Sequence, residues 1–236
     1  MGNDTSLGDG QSQFPSTVWD VLERPAHAEL NSLAERYWRP VYKFIRSVWN
    51  KPLEDAKDLT QEFFATVFDR DFLRAADRRR GNFRQFVLAS LRNFLTDRQR
   101  AQDAQKRGGD RLILSMDVGD DGGSFDVADP SLSQEQAFDR VWAAEILRRA
   151  LDQLRAECDK QGLRVRFEAF HRHSLVEGGG ASYRDIARDL GVSEFDVGNH
   201  LVAARRDLRR ICSLLIRETV SDPAALDAEM KALFGA

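Results

Sequence analysis

Apolar residues in this chain recur every third or fourth position, and no stretch shows the alternation of a half-buried strand. That regularity restricts the fold to helices packed on helices, an all-α class. Leu30, Leu33, Tyr37, Val41, Phe44 and Val48 predict a helix over residues 28–49, with Pro40 expected to kink it. Leu59, Phe63 and Val67, flanked by Phe64 and Phe68, predict a second from about Pro52 to Phe68. Phe83, Phe86, Val87, Leu91, Phe94 and Leu95 predict a third from about Asn82 to Arg98. The pattern then breaks over residues 112–133, where Gly119, Asp120, Asp121, Gly122, Gly123 and Pro130 read as a flexible linker. It resumes at Phe138, Val141, Leu147, Leu151 and Leu154, and again from Leu163 to about Leu175. The expectation is two small helical domains joined by an acidic linker. Residues 1–17 are rich in Gly, Ser, Asp and Gln and read as disordered.

The second block carries sharp punctuation. Gly178-Gly179-Gly180 ends one helix, and Ser182 caps a short helix over Tyr183–Leu190. Gly191 supplies the positive φ of a helix end. Ser193 caps the next helix, with Asp196 three residues on as an acidic capping box. Val197, Leu201, Ala204, Leu208 and Ile211 bury that helix, which runs toward Ile216. The segment from Ser182 to Arg205 thus reads as a helix-turn-helix, with Ser193, Glu194, Asp196, Asn199, His200 and Ala203 on the outward face of its second helix. Arg184, Arg205, Arg206, Arg209 and Arg210 suit flanking phosphates. Ser221-Asp222-Pro223 starts a last helix, ending near Phe234, whose apolar face (Leu226, Met230, Leu233, Phe234) needs a partner. The tail either covers part of one of the two domains or binds another protein, and docking on the chain itself, restraining DNA binding in the free protein, is the expectation.

Charge is segregated. The net charge is −3, yet from Arg74 to Arg111 eleven bases against four acids give +7. From Leu112 to Glu135 there are six acids and no base. The basic block suits a polyanion and the acidic one repels it. No run of about 18 apolar residues exists, so no membrane span is expected. The polar start MGNDTSLGDG does not read as a secretory signal. Cys158 and Cys212 are the two cysteines, and with His171 and His173 they match no zinc spacing. A reduced, cytoplasmic setting without metal or cofactor is expected. No nucleophile–base set or phosphate loop appears, so no catalytic residue and no enzyme activity is expected.

Two further motifs carry chemistry. Asp55, Asp58 and Glu62 recur at i, i+3 and i+7, an acidic helix face that is either solvated surface or a dock for a basic helix. The helix from Gly81 to Arg100 interleaves phenylalanines with arginines, which suits stacking on unpaired bases and phosphate contact, although most of its phenylalanines belong to the core.

Taken in order, DAKDLTQEFF, GNFRQFVLASLRNFLTDRQR, the acidic linker and SYRDIARDLGVSEFDVGNHLVAARRDLR resemble bacterial RNA polymerase sigma factors of the extracytoplasmic-function (ECF) group. The resemblance covers roughly residues 28–213. It implies a partly disordered extension at 1–27, a sigma domain 2-like unit at 28–105, a linker at 106–134, a domain 4-like unit at 135–213 and a C-terminal extension at 214–236. It implies that Asp55, Asp58, Gln61 and Glu62 bind the β′ clamp helices of core polymerase. Arg92, Asn93, Asp97, Arg98 and Arg100 would engage the melted −10 element, with Asp97 near a flipped base. Arg184, Ser193, Glu194, Asp196, Asn199, His200, Arg205 and Arg206 would engage the −35 element, with the β flap as a further polymerase contact. An anti-sigma factor or a kinase is a possible further partner.

Departures from the family pattern sharpen the expectations. Lys57 stands where an acid is common, and Thr60 in this segment is a candidate for phosphorylation, which would add about −1.5 to −2 charges. Asp196, Gly198 and His200 replace the usual Thr, Lys and Arg of the recognition helix. Gly198 in mid-helix costs about 1 kcal/mol against Ala, which suggests close approach of another backbone. A stand-alone helix-turn-helix regulator and a protein-interaction adaptor are the alternative readings. Neither gives the basic block and the acidic helix face a joint task.

Overall fold

The computed structural model describes residues 18–23, 27–68, 82–106, 131–176, 180–220, 222 and 224–235. The expected disorder of residues 1–17, most of the linker and the Gly178-Gly179 pair lie outside the described residues. Every regular element among the described residues is a helix, as the periodicity requires: α1 (Val18–Glu23), α2 (His27–Val48), α3 (Leu53–Val67), α4 (Phe83–Lys106), α5 (Gln134–Lys160), α6 (Arg164–Ser174), α7 (Tyr183–Leu190), α8 (Glu194–Arg217) and α9 (Ala224–Phe234). Helix α2 runs unbroken through Pro40. Helix α1 was not anticipated. Its Val18, Trp19 and Leu22 are buried, and the Trp19 ring meets Phe83 and Phe86 edge-on at 6.3 and 5.9 Å.

The two sequence blocks meet along α5. Ser133 caps this helix in a capping box with Gln136. One side of α5 packs on α8, the other on α2. Trp142 of α5 stacks on Tyr37 at 5.0 Å between centroids, and Phe138 meets Phe44 edge-on at 5.2 Å. Such aromatic pairs add about 0.5–1.5 kcal/mol each beyond the area they bury. Burial pushes the Tyr37 hydroxyl up to about 12. The buried apolar residues of both blocks form one continuous core.

The tail closes that core from outside. Helix α9 lies on α5 and α8, with Leu226, Met230, Leu233 and Phe234 packed against the core, so the partner of its apolar face is the chain itself. Glu229 is buried and accepts a forked pair of hydrogen bonds from Arg84, Nε at 2.6 Å and a terminal nitrogen at 3.0 Å. Asn82 also donates to Glu229, and Arg84 also pairs with Asp139 of α5. Arg84 therefore does not serve in the phosphate contact expected of the arginines of this helix. It is 3% exposed because a guanidinium with two carboxylate partners tolerates burial. Just before α9, the Glu218 carbonyl accepts from the Val18 N–H and the Thr219 carbonyl from the Phe83 N–H, both at 2.9 Å. The end of α8 thus satisfies orphan donors at the starts of α1 and α4.

Candidate nucleic-acid interface

Helix α3 begins behind Pro52 and buries Ala56, Thr60, Phe63, Phe64 and Val67. The opposite face is left to solvent: Asp55, Asp58 and Gln61 are exposed and Glu62 is half-buried. Lys57 pairs with Glu54 at 3.1 Å within that exposed face. Thr60 is fully buried, and its hydroxyl donates to the Ala56 carbonyl at 2.6 Å. The expectation of phosphorylation at Thr60 is therefore corrected. No kinase reaches this hydroxyl in the folded helix, and a phosphate would have to sit in the core.

Helix α4 lies beside α3 and supplies the next set. Asn93, Asp97, Arg98 and Arg100 are exposed, and Arg92 is half-buried with its Nε buried and unpartnered. Arg98 pairs with Glu62 and lies over the Phe94 ring at 5.7 Å, a cation–π contact. Arg100 sits 3.6 Å from Asp97. Phe83 is buried and Phe86 and Phe94 are half-buried against the core, so the phenylalanines of this helix serve mainly in packing.

The helix-turn-helix is built as its punctuation requires. Gly191 adopts φ +67°, the left-handed conformation that lets α7 end and α8 start within three residues. Ile186, Ala187, Val197, Leu201 and Ala204 are buried between the two helices and their neighbours. The Ser193 hydroxyl accepts from the Asp196 N–H at 3.0 Å, and the Asp196 carboxylate accepts from the Ser193 hydroxyl at 2.6 Å and its N–H at 3.2 Å. The Ser193 hydroxyl and N–H hold the Asp196 carboxyl below the usual carboxylate range. In the same way the Ser182 hydroxyl holds Asp185 low. Asp196 and Ser193, both expected as DNA contacts, are thus engaged with each other at the cap. Glu194 and Asn199 are exposed, while His200 is half-buried.

Arg184, Arg205, Arg206 and Arg209 are exposed around this face. Toward the end of α8, Arg206, Arg209 and Arg210 line an open groove of about 530 Å³ against Asp227 and Met230 of α9. Arg210 also pairs with Glu157 at 2.5 Å. Among the described residues the close backbone approach expected at Gly198 is not found. A Cβ at that position would meet the Tyr183 ring at 3.7 Å, an ordinary contact with a side chain. Sequence reasoning also passed over Phe195 and Val202, which are among the most exposed apolar residues of the described chain. Their seven-residue spacing was the available signal.

No group of three metal-ligating side chains occurs among the described residues, and no helix there is long and apolar enough to cross a membrane. His173 Nδ1 lies 3.2 Å from the Ala181 carbonyl, and Cys158 and Cys212 are buried with burial pushing their thiols up.

A model of the ECF sigma factor family matches residues 31–213. No match was found among curated proteins or among solved structures. The family match spans α3, α4 and the helix-turn-helix together, so the chain belongs to the ECF sigma factor family, and its role is promoter-directed transcription with core RNA polymerase and promoter DNA as partners.

Proposed function

We propose that the chain binds core polymerase through the outer face of α3, opens the −10 element with α4 and reads the −35 element with the helix-turn-helix. In this reading residues 28–105 act as the domain 2-like unit and residues 135–213 as the domain 4-like unit, which also meets the β flap. The observation that carries it is the placement of two unlike surfaces side by side. Asp55, Asp58 and Gln61 face solvent on α3, and Asn93, Asp97, Arg98 and Arg100 face solvent on the adjoining α4. An acidic strip suits a basic helix of a protein partner. A strip of amide, carboxylate and guanidinium groups suits the backbone and the exposed edges of an unpaired strand. The Glu62–Arg98 pair lies where the two surfaces adjoin, so binding either partner competes with that pair.

A stand-alone regulator would need α7 and α8 alone and would bind its promoter without polymerase. In vitro transcription with bacterial core enzyme, mapping start sites over genomic DNA, separates the two. New start sites that share upstream elements are expected, and substituting Asp55 and Asp58 together by Ala is expected to abolish them while the protein stays folded. Duplex binding that is equally specific without core enzyme, together with no new start sites, would replace this reading by the regulator.

A further inference from the structure

Phe195 is 76% exposed and Val202 67%. Asn199 lies between them, four positions after Phe195 and three before Val202, so the three side chains share one face of α8. Val197, Leu201 and Ala204 occupy the opposite face and are fully buried, which fixes the helix rotation and keeps Phe195 and Val202 outward. The Ser193 cap fixes the helix start two residues before Phe195. An apolar–amide–apolar strip is thus held rigidly in water.

The setting of the strip identifies its occupant. It lies on the second helix of a helix-turn-helix, the element that enters a major groove. Exposed arginines stand on the same two helices, Arg184 on α7 and Arg205, Arg206 and Arg209 further along α8. Positive charge near an apolar strip complements a duplex, where phosphates border a groove floor that carries thymine methyl groups. The Ser193 cap turns the Asp196 carboxylate toward the helix start and holds it ionised, so with the exposed Glu194 it opposes phosphate at the N-terminal end of the strip and leaves the arginines to carry the backbone contact. From residue 195 to residue 202 the helix rises about 10 Å, which matches roughly three base pairs.

We propose that Phe195, Asn199 and Val202 read about three consecutive A·T pairs in the major groove of the upstream promoter element. The Phe195 ring and the Val202 methyls pack on thymine C5-methyl groups, and the Asn199 carboxamide bonds adenine through N6 and N7. This assignment deepens the −35 reading given above and rests on it. It makes specificity here depend on methyl contact more than on charge. The cap carboxylate and the half-buried His200 leave Asn199 as the amide on the strip able to bond a base edge bidentately.

The test uses holoenzyme formed with core polymerase on a promoter supplied by start-site mapping. Each thymine of the upstream element is replaced in turn by deoxyuridine, which removes the methyl group and nothing else. Affinity is expected to fall about fourfold at each contacted position, the factor that burying one methyl-sized group is worth. Phe195→Ala and Val202→Ala are expected to lose at least that factor on the thymine template, and each to become indifferent to deoxyuridine at its own position. Asn199→Ala is expected to become indifferent to 7-deazaadenine at one position. A footprint over the upstream element that deoxyuridine leaves unchanged at every position would overturn the assignment while leaving the −35 reading intact. A footprint confined to the −10 region would overturn the −35 reading itself. Weakened polymerase binding in Phe195→Ala, with DNA affinity unchanged in holoenzyme formed at saturating core enzyme, would reassign the strip to a protein partner and also overturn the proposal.

Discussion

Gly198 shows how much one residue's reading depends on its neighbours. Glycine in mid-helix suggests close approach of another backbone, yet among the described residues a built Cβ meets the Tyr183 ring, at 3.7 Å, and no backbone. Gly198→Ala is therefore expected to stabilise the protein by about 1 kcal/mol, raising its melting temperature by about 2–4 °C. Thermal unfolding measures this directly, and a fall in melting temperature would show that the Tyr183 contact is tighter than its distance implies. Gly180 is the opposite case. A Cβ there would fall on the His173 carbonyl, so glycine is required by close backbone approach. Thr60 was misjudged for a related reason. Its position beside acids suggested a surface site, but Ala56, Thr60, Phe63 and Val67 form the buried stripe of α3. The acids lie on the far side of the same helix.

At the scale of the element, the capping chemistry was legible because it is local. Ser182, Gly191, Ser193 and Asp196 perform the roles their spacing predicts, since a cap involves groups within four residues of one another. The Ser133–Gln136 box has the same character and went unread beside the acidic linker. Helix α1 went unread because six residues are too few for a periodic pattern, and its burial depends on Phe83 and Phe86 far along the chain. The caps also predict a pH dependence. Asp185 and Asp196 are each held below the usual carboxylate range in the fold, chiefly by the serine hydroxyl at the N-cap. A depressed folded value means stabilisation that is fully present above the unfolded carboxylate value, about 3.9, and lost as pH falls through the folded value. The Asp185→Asn/Asp196→Asn double variant is expected to lose less stability than the parent between pH 5 and pH 2. Urea midpoints across that range report it, and parallel curves would refute the assignment.

At the scale of the whole molecule, the buried Arg84–Glu229–Asp139 group ties the start of α4 to α5 and α9. Glu229→Ala leaves a guanidinium that is 3% exposed with one carboxylate instead of two. Loss of a partner from such a pair costs about 3–5 kcal/mol. Chemical unfolding of Glu229→Ala is expected to show a loss of that order, and the Arg84→Met/Glu229→Leu double variant to recover most of it. Equal losses in the single and double variants would mean that packing of α9, and not the unpaired charge, sets the cost. Asp139 alone cannot compensate, because burial already pushes its carboxyl up against the pull of Arg84.

The helical class, the order of the helices, the turn at Gly191 and the acidic face of α3 follow from the chain alone, because each depends on side chains a few positions apart. Long-range contact decided the rest. Arg84 reads as one more basic residue until Glu229, 145 positions later, is brought to within 2.6 Å of it. The apolar face of α9 finds its partner on α5 and α8, and α5 joins the two blocks into one core, because each buries surface that its own neighbours in sequence leave bare. Burial of Phe195 or Val202 would be the ordinary expectation for such residues. Their exposure follows from the buried face at Val197, Leu201 and Ala204, which the periodicity already marks, whereas the packing of α7 against α8 is decided only by the tertiary fold.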